Sequence, residues 1–373
     1  MGQYSSKSLA VKYRPKIFAE IVGQSTITDI LENQIKTKTF RNTVLFTGPA
    51  GCGKTTSARA FATLLNQGKG RPIEIDAASN NGVDNVRDII VKAQQKSLDS
   101  EYKVFILDEV HMLSTGAWNA LLKLIEEPPA NTIFIFCTTD AQKIPATILS
   151  RVQRFDFKRI SFENIVNRLK YVIYNERKER LINELTEKGL DEDQIDLQLC
   201  RAEDSDYFDI DEDAVAYIAK TADGGMRDSL TLLDKAMAYS NELSLANVVK
   251  ALGSVDYTVY FNLTNAILDY KEQEVINIIE TCYREGSDIK QFIKNYTIFL
   301  LDVCKYCICK DFEYIQIPET YKNELLQLVG DKDFIKYLLS EINKLNSDIK
   351  WEASVKSIVE LKLLALTQPE ENK

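Results

Sequence analysis

A chain of 373 residues with 45% apolar and 27% charged side chains has material for about two or three domains of about 150 residues each, and its mixed charge excludes wholesale disorder. No run approaches the roughly 18 consecutive apolar residues of a membrane span, and no apolar signal core follows the N-terminus, so a cytoplasmic protein without a membrane partner is expected. The net charge of −9 disfavours nucleic acid until its distribution is read: residues 1–72 hold 11 Lys and Arg against 3 Asp and Glu, whereas residues 175–213 hold 5 against 15. A DNA-facing surface in the N-terminal part therefore stays open.

Met1-Gly2-Gln3-Tyr4-Ser5-Ser6 formally fits a myristoylation pattern, but without a second anchor signal it reads as a disordered start. In Val11–Gln24, Pro15 prevents a continuous helix, and Tyr13, Ile17, Phe18, Ile21 and Val22 form an apolar set; composition leaves core packing and contact with a flat ring equal. Thr26–Lys36 carries Ile27, Ile30, Leu31 and Ile35 at helical spacing.

Val44-Leu45-Phe46 reads as a buried strand that breaks at Gly48 into a loop with the spacing G-x-x-x-x-G-K-T, at Gly48, Gly53, Lys54 and Thr55. That spacing is a P-loop. Its glycines let successive backbone N–H groups turn inward as an anion nest, Lys54 reaches the outer phosphates, and Thr55 offers a hydroxyl to Mg²⁺. The next helix, Thr55–Leu65, adds its positive end to the same phosphates.

Pro72–Asp76 is a strand, followed by the Asn80-Asn81-Gly82 turn and a helix over Val83–Gln95. Lys103–Leu107 is the next strand and runs directly into Asp108-Glu109, the Walker B arrangement: Asp108 orients Mg²⁺ through water, and Glu109 polarises the attacking water. His111 reads as a hydrogen-bonded structural residue rather than a base. Ala117–Glu127 is a helix stopped by Pro128-Pro129, and Thr132–Cys137 is a strand whose tip, Thr138-Thr139-Asp140, lies beside the Walker B tip in a parallel sheet. A hydroxyl there either touches the γ-phosphate or the water, or serves as a turn former. Four β-like runs separated by helices predict a parallel, doubly wound α/β sheet.

From Ser161 the strand signals stop. Helical periodicity covers Phe162–Leu181 and Asp211–Ala222, and the acidic stretch Glu176–Asp213 reads as a solvated insertion, partly helix and partly loop. Gly224-Gly225 opens a helix to about Tyr239 with Arg227 in its first turn, where a cation opposes the helix dipole unless it pairs with Asp228 or a phosphate. Beyond Gly253 the pattern is all-helical to about Thr367, and Gln368–Lys373 should fray. Of the seven cysteines, Cys52 and Cys137 lie inside the P-loop and an apolar run, and Cys304, Cys307 and Cys309 fall on one helix-like stretch far from His111; structural thiols are favoured.

The stretches G-P-A-G-C-G-K-T-T, E-I-D-A-A-S-N-N-G-V-D-N-V-R-D-I, D-E-V-H-M-L-S, N-A-L-L-K-L-I-E-E-P-P, T-T-D-A-Q-K-I-P-A-T-I-L-S-R and G-G-M-R-D-S-L occur in this order. Together they closely resemble the gamma/tau (DnaX) family of bacterial DNA polymerase III clamp-loader subunits, which are AAA+ ATPases. The likeness covers essentially the whole chain, more weakly after Gly253. Its Glu74–Ile89 and Asp108–Pro129 stretches separate it from the small subunits of replication factor C.

The resemblance implies an AAA+ α/β domain over residues 1–160, a helical lid over 161–253 with the acidic insertion at about 176–213, and a helical collar over 254–373. It places Tyr13, Arg14 and Pro15 by the adenine, and Gly48, Pro49, Ala50, Gly51, Cys52, Gly53, Lys54, Thr55 and Thr56 around the phosphates. Mg²⁺ falls to Thr55 and Asp108. Glu109 completes Walker B, Thr139 becomes the first sensor, Arg227 the second, and Arg151 the arginine finger for a neighbouring subunit's nucleotide. Asn80, Asn81, Gly82 and Arg87 fall where the family faces DNA phosphates. The implied ligands are ATP and Mg²⁺. The implied partners are further copies of the chain, delta-like and delta-prime-like subunits, a sliding clamp and primer–template DNA.

Three departures qualify the likeness. Asn66–Pro72 replaces the family's four-cysteine module, so no zinc is expected. Ser150-Arg151-Val152 keeps the finger but loses the usual cysteine, and the acidic stretch lengthens the lid. The chain ends at the length of the shorter gamma form, so the tau-type extension is not expected. Two other readings remain: a delta-prime-like scaffold that holds a ring together without hydrolysis, against which intact Lys54, Thr55, Asp108 and Glu109 argue; and another AAA+ remodeller, a helicase loader or an unfoldase, the latter lacking an aromatic pore loop before Walker B.

Overall fold

The computed structural model describes residues 7–97, 99–203, 206–252, 256–284, 286–352 and 354–367. Met1–Ser6, the domain boundary placed at Gly253 and the fraying tail Gln368–Lys373 lie outside them. The chain divides into two compact units, one formed by Met1–Phe208 with Ala222–Asp234, the other by Asp209–Thr221 with Lys235–Lys373.

The first unit is built on a parallel sheet of β1 (Thr43–Thr47), β2 (Ile73–Asp76), β3 (Lys103–Asp108), β4 (Thr132–Thr138) and β5 (Gln153–Asp156), in the order β2-β3-β4-β1-β5. Its inner strands read as continuous apolar runs because helices cover both faces. Side chains alternate across the pleat: Val44, Phe46, Val104, Ile106, Ile133 and Ile135 join one buried cluster, and Leu45, Phe105, Leu107, Phe134 and Phe136 join the other. On the second face the Phe105 and Phe134 rings stack with centroids 5.1 Å apart.

The connecting helices are α1 (Ser25–Thr37), α2 (Lys54–Leu65), α3 (Val83–Gln94) and α4 (Thr115–Glu126). The Ser114 hydroxyl caps α4 by accepting from Ala117 N at 3.2 Å. All four sequence strands are present, and a fifth was hidden. Q-R-F-D of β5 buries only Phe155, a polar alternation permitted at a sheet edge that gives no apolar run to read.

Helix α5 (Phe162–Glu187) is one continuous element, and α6 (Glu192–Glu203) returns beside it. The described part of the acidic stretch is thus mainly a helical hairpin, with its non-helical residues at the turn and around 209–211. The left-handed Gly189 (φ 79°) makes its turn.

In the second unit, α7 (Glu212–Thr221) packs on α9 (Leu245–Ala251). Helix α8 (Met226–Tyr239) contributes its first nine residues, 226–234, to the first unit and the rest to the second. The remaining helices are α10 (Tyr257–Leu268), α11 (Glu272–Arg284), α12 (Ile289–Cys309), α13 (Lys322–Leu328), α14 (Lys332–Asp348) and α15 (Val355–Leu366). They enclose an aromatic core of Tyr260, Phe261, Phe292, Tyr296 and Phe299. The Tyr296 hydroxyl, buried there, lies 3.0 Å from Thr264 Oγ1, as a buried polar tip must. Cys304 is buried on α12 and Cys309 exposed. No described helix is long and apolar enough to cross a membrane.

Candidate active site

The loop after β1 is shaped by backbone angles that side chains resist. Gly48 (φ 146°), Gly51 (φ 70°) and Gly53 (φ 99°) all have positive φ. A Cβ at Gly48 would stand 2.4 Å from the Phe157 carbonyl oxygen, where β5 exits. Gly48→Ala is therefore expected to destabilise the protein by about 2–3 kcal/mol, read as a lowered midpoint in thermal unfolding; a melt equal to wild type would contradict the close approach.

Gly53 precedes α2 without a side-chain cap, so the first-turn amides of that helix are left for an anion. Lys54 is only 6% exposed. Its ammonium donates to the carbonyls of Gly48 at 2.9 Å and Pro49 at 2.7 Å, which arches the loop around it. Thr55 Oγ1 donates to Asp108 Oδ2 at 2.7 Å, and the Glu109 amide donates to Asp108 Oδ1 at 3.0 Å. Cys52 donates its thiol to the Pro49 carbonyl, and burial pushes that thiol's pKa up.

Strand order explains how the acidic pair and the β4 tip meet. Because β4 lies between β1 and β3, its tip is flanked by the glycine loop and the acidic pair. Glu109 Oε2 accepts from Thr139 N at 3.2 Å and Thr139 Oγ1 at 2.9 Å. His111 Nδ1 lies 3.1 Å from Thr138 Oγ1 and 3.2 Å from the same Glu109 oxygen, so the histidine is a hydrogen-bonded neighbour of the carboxylate.

Glu109 and the glycine loop face a cavity of about 450 Å³, whose lining includes neither Thr139 nor His111. Ala50, Gly51, Cys52, Gly53, Lys54, Thr55 and Thr56 line one side, with Asp108 and Glu109; Tyr13, Arg14 and Pro15 line another, and Arg227 a third. The Met226 amide donates to the Gly51 carbonyl at 3.0 Å, fixing the start of α8 to the loop. Asp228 lies against Gly225 within its own first turn. Arg14 has its pKa lowered, first by burial and then by Arg59 and Arg227. Converging cations over a glycine nest, with a Thr–Asp pair at its edge, fit a polyphosphate and a hard divalent cation.

Other expected residues lie apart. Arg151 is outside the cavity lining: its guanidinium donates to Glu126 Oε1 (2.6 Å), the Thr147 carbonyl (2.7 Å) and Ser150 Oγ (3.1 Å). Asn80, Asn81, Gly82 and Arg87 sit around the start of α3. Asn80 Nδ2 donates to the Asp76 carbonyl, the Asn81 carbonyl accepts from Ser114 N, and exposed Arg87 pairs with Asp84 at 2.9 Å. Three residues were missed. Arg59 lines the cavity and pairs with Glu74; its position one helical turn beyond Thr55 was a usable signal. Arg168 also lines it, and buried Gln24 donates to the Cys52 and Lys158 carbonyls, tying the loop to the exit of β5. No spacing in the sequence marks either.

The glycine loop, the Thr55–Asp108 pair and the parallel strand order define a P-loop nucleotide-binding protein of the AAA+ class. Three family profiles match consecutive stretches: the DNA polymerase III delta subunit over residues 72–161, the ATPase lid domain of the DNA polymerase III clamp loader subunit over 194–242, and domain III of DNA polymerase III subunits gamma and tau over 243–331. The DNA polymerase III subunit gamma of Buchnera aphidicola subsp. Schizaphis graminum is 32% identical over 78% of this chain and 78% of its own length. The chain belongs to the DNA polymerase III gamma/tau subunit family. The subunit tau of Bacillus subtilis is 33% identical over 98% of this chain, which spans 64% of that relative; the subunit tau of Escherichia coli is 32% identical over 76% of this chain and 43% of its own length. The solved Thermotoga maritima RuvB Holliday junction branch migration motor is similar over 68% of this chain at 18% identity, with a TM-score of 0.47, too distant to support any assignment.

Proposed function

We propose that this chain is an ATP-hydrolysing motor subunit of a sliding-clamp loader, working in the cytoplasm with further copies of itself and with delta-like and delta-prime-like subunits to place a clamp on primer–template DNA. The observation that carries the reading is the Thr55–Asp108 hydrogen bond beside buried Lys54, with Glu109 fastened to Thr139 at the same cavity. The lid over residues 161–253 and the collar over 254–373 belong to this proposal.

Lys54 and the α2 amides would hold the β- and γ-phosphates of ATP, Arg227 would meet them from the lid, and Tyr13, Arg14 and Pro15 would flank the base. Thr55 and Asp108 would hold Mg²⁺, which when bound supplies neutralisation of phosphate charge. Glu109 would accept the proton of the attacking water, with Thr139 fixing the carboxylate's direction. Arg151 would act on the nucleotide of a neighbouring copy. Asn80, Asn81, Gly82 and Arg87 would face the DNA backbone, with the α3 amides as donors. ATP can drive such work only if its bound and hydrolysed forms differ in affinity for clamp and DNA.

The test is steady-state hydrolysis by the chain with its loader partners, with and without clamp and primed DNA, beside Lys54→Ala. Stimulation by clamp plus DNA in wild type and none in the variant is expected. Equal, unstimulated rates in both would sink the motor reading.

A further inference from the structure

The acidic stretch has no part in the chemistry above, yet the helix that carries it forms a brace for the base-side wall of the cavity. Along α5, residues 168, 171, 176 and 179 recur on neighbouring faces at helical spacing. Arg168 Nη2 donates to the Tyr13 carbonyl at 2.9 Å. The Tyr171 and Tyr13 rings meet edge-on with centroids 6.4 Å apart. The Lys12 ammonium lies 2.7 Å from Glu176 Oε1 and 2.5 Å from Glu179 Oε2. Immediately beside this stripe, Tyr174 Oη donates to Glu203 Oε1 of α6 at 2.6 Å, and its ring packs on Phe208. One helix therefore grips the cavity wall on one side and the acidic hairpin on the other. Neither Glu176 nor Glu179 lines the cavity.

We propose that Glu176 and Glu179 are positioning residues: by clasping Lys12 they fasten the Lys12–Pro15 wall to the hairpin-bearing helix and prolong the stay of an adenine nucleotide. The inference rests on the nucleotide reading given above. A wall ordered before the ligand arrives spares the ordering entropy that binding otherwise costs, and such effects appear mostly in the dissociation rate. Lys12 is three-quarters buried by side-chain area and faces two carboxylates, a geometry better than that of an isolated surface pair.

The experiment uses the full chain and N-methylanthraniloyl-ADP as probe, chased with excess ADP in a stopped flow. Glu176→Gln/Glu179→Gln is expected to release the probe about three- to tenfold faster with little change in association. Lys12→Glu combined with Glu176→Lys/Glu179→Lys is expected to return the rate toward wild type. Amide hydrogen exchange over residues 9–15, measured without nucleotide, should rise in the first variant and recover in the second. If the double glutamine variant fails to fold, Lys12→Gln removes the same pairs from the other side. Unchanged release and exchange would overturn the positioning role while leaving nucleotide binding intact. A wild-type chain that does not bind the probe would overturn the nucleotide reading and this inference with it.

Discussion

Arg151→Ala is expected to lower clamp- and DNA-stimulated ATP turnover by about 10³–10⁵-fold while leaving the nucleotide affinity of the isolated chain unchanged. The expectation follows from placement. Arg151 ends the helical turn Ala146–Leu149, and its guanidinium is held by Glu126, the Thr147 carbonyl and the Ser150 hydroxyl, away from the chain's own cavity. A cation oriented on a rigid turn outside its own site can serve a neighbour's phosphates, where a planar fork offers paired donors to charge developing on the transferring group. Arg151→Lys keeps the charge but loses the fork and is expected to recover little. The decisive measurement is turnover of assembled loader beside nucleotide binding by the chain alone. A variant that loses affinity for its own nucleotide but keeps stimulation would reverse the assignment.

Glu109→Gln is expected to slow hydrolysis by about 10²–10⁴-fold, the usual worth of a positioned general base, with nucleotide binding retained. The carboxylate oxygen that would take the water's proton already accepts from both Thr139 donors. A glutamine carbonyl can keep those two hydrogen bonds, so the substitution removes basicity with little loss of geometry. Chemical quench of a single turnover separates this outcome from a binding defect. A normal single-turnover rate would remove Glu109 from the chemistry.

The phosphate half of the site was legible because phosphate chemistry imposes local spacing. Gly48 to Thr55 occupy eight consecutive positions, and Asp108-Glu109 follow directly on an apolar strand. Thr139 was legible for a different reason: parallel order sets the β4 tip beside the β3 tip. The rest of the cavity was not written locally. Arg168 reaches it from a helix distant in sequence, Gln24 braces its glycine loop from behind, and only tertiary packing brings either in. The edge strand β5 escaped detection because edge positions tolerate polar residues. The acidic stretch was legible in part: its charges argue for a solvated insertion, partly helix and partly loop, whereas Leu185 and Leu199, both only 8% exposed, lie on two helices that pack side by side.

Glu109 also has a left-handed backbone, with φ 48° and ψ 45°. For a side chain of its kind this conformation costs about 1–2 kcal/mol, a penalty that glycine escapes. In the role proposed for Glu109, folding and chemistry pull this position in opposite directions: glycine would relieve the backbone but remove the carboxylate that Thr139 holds.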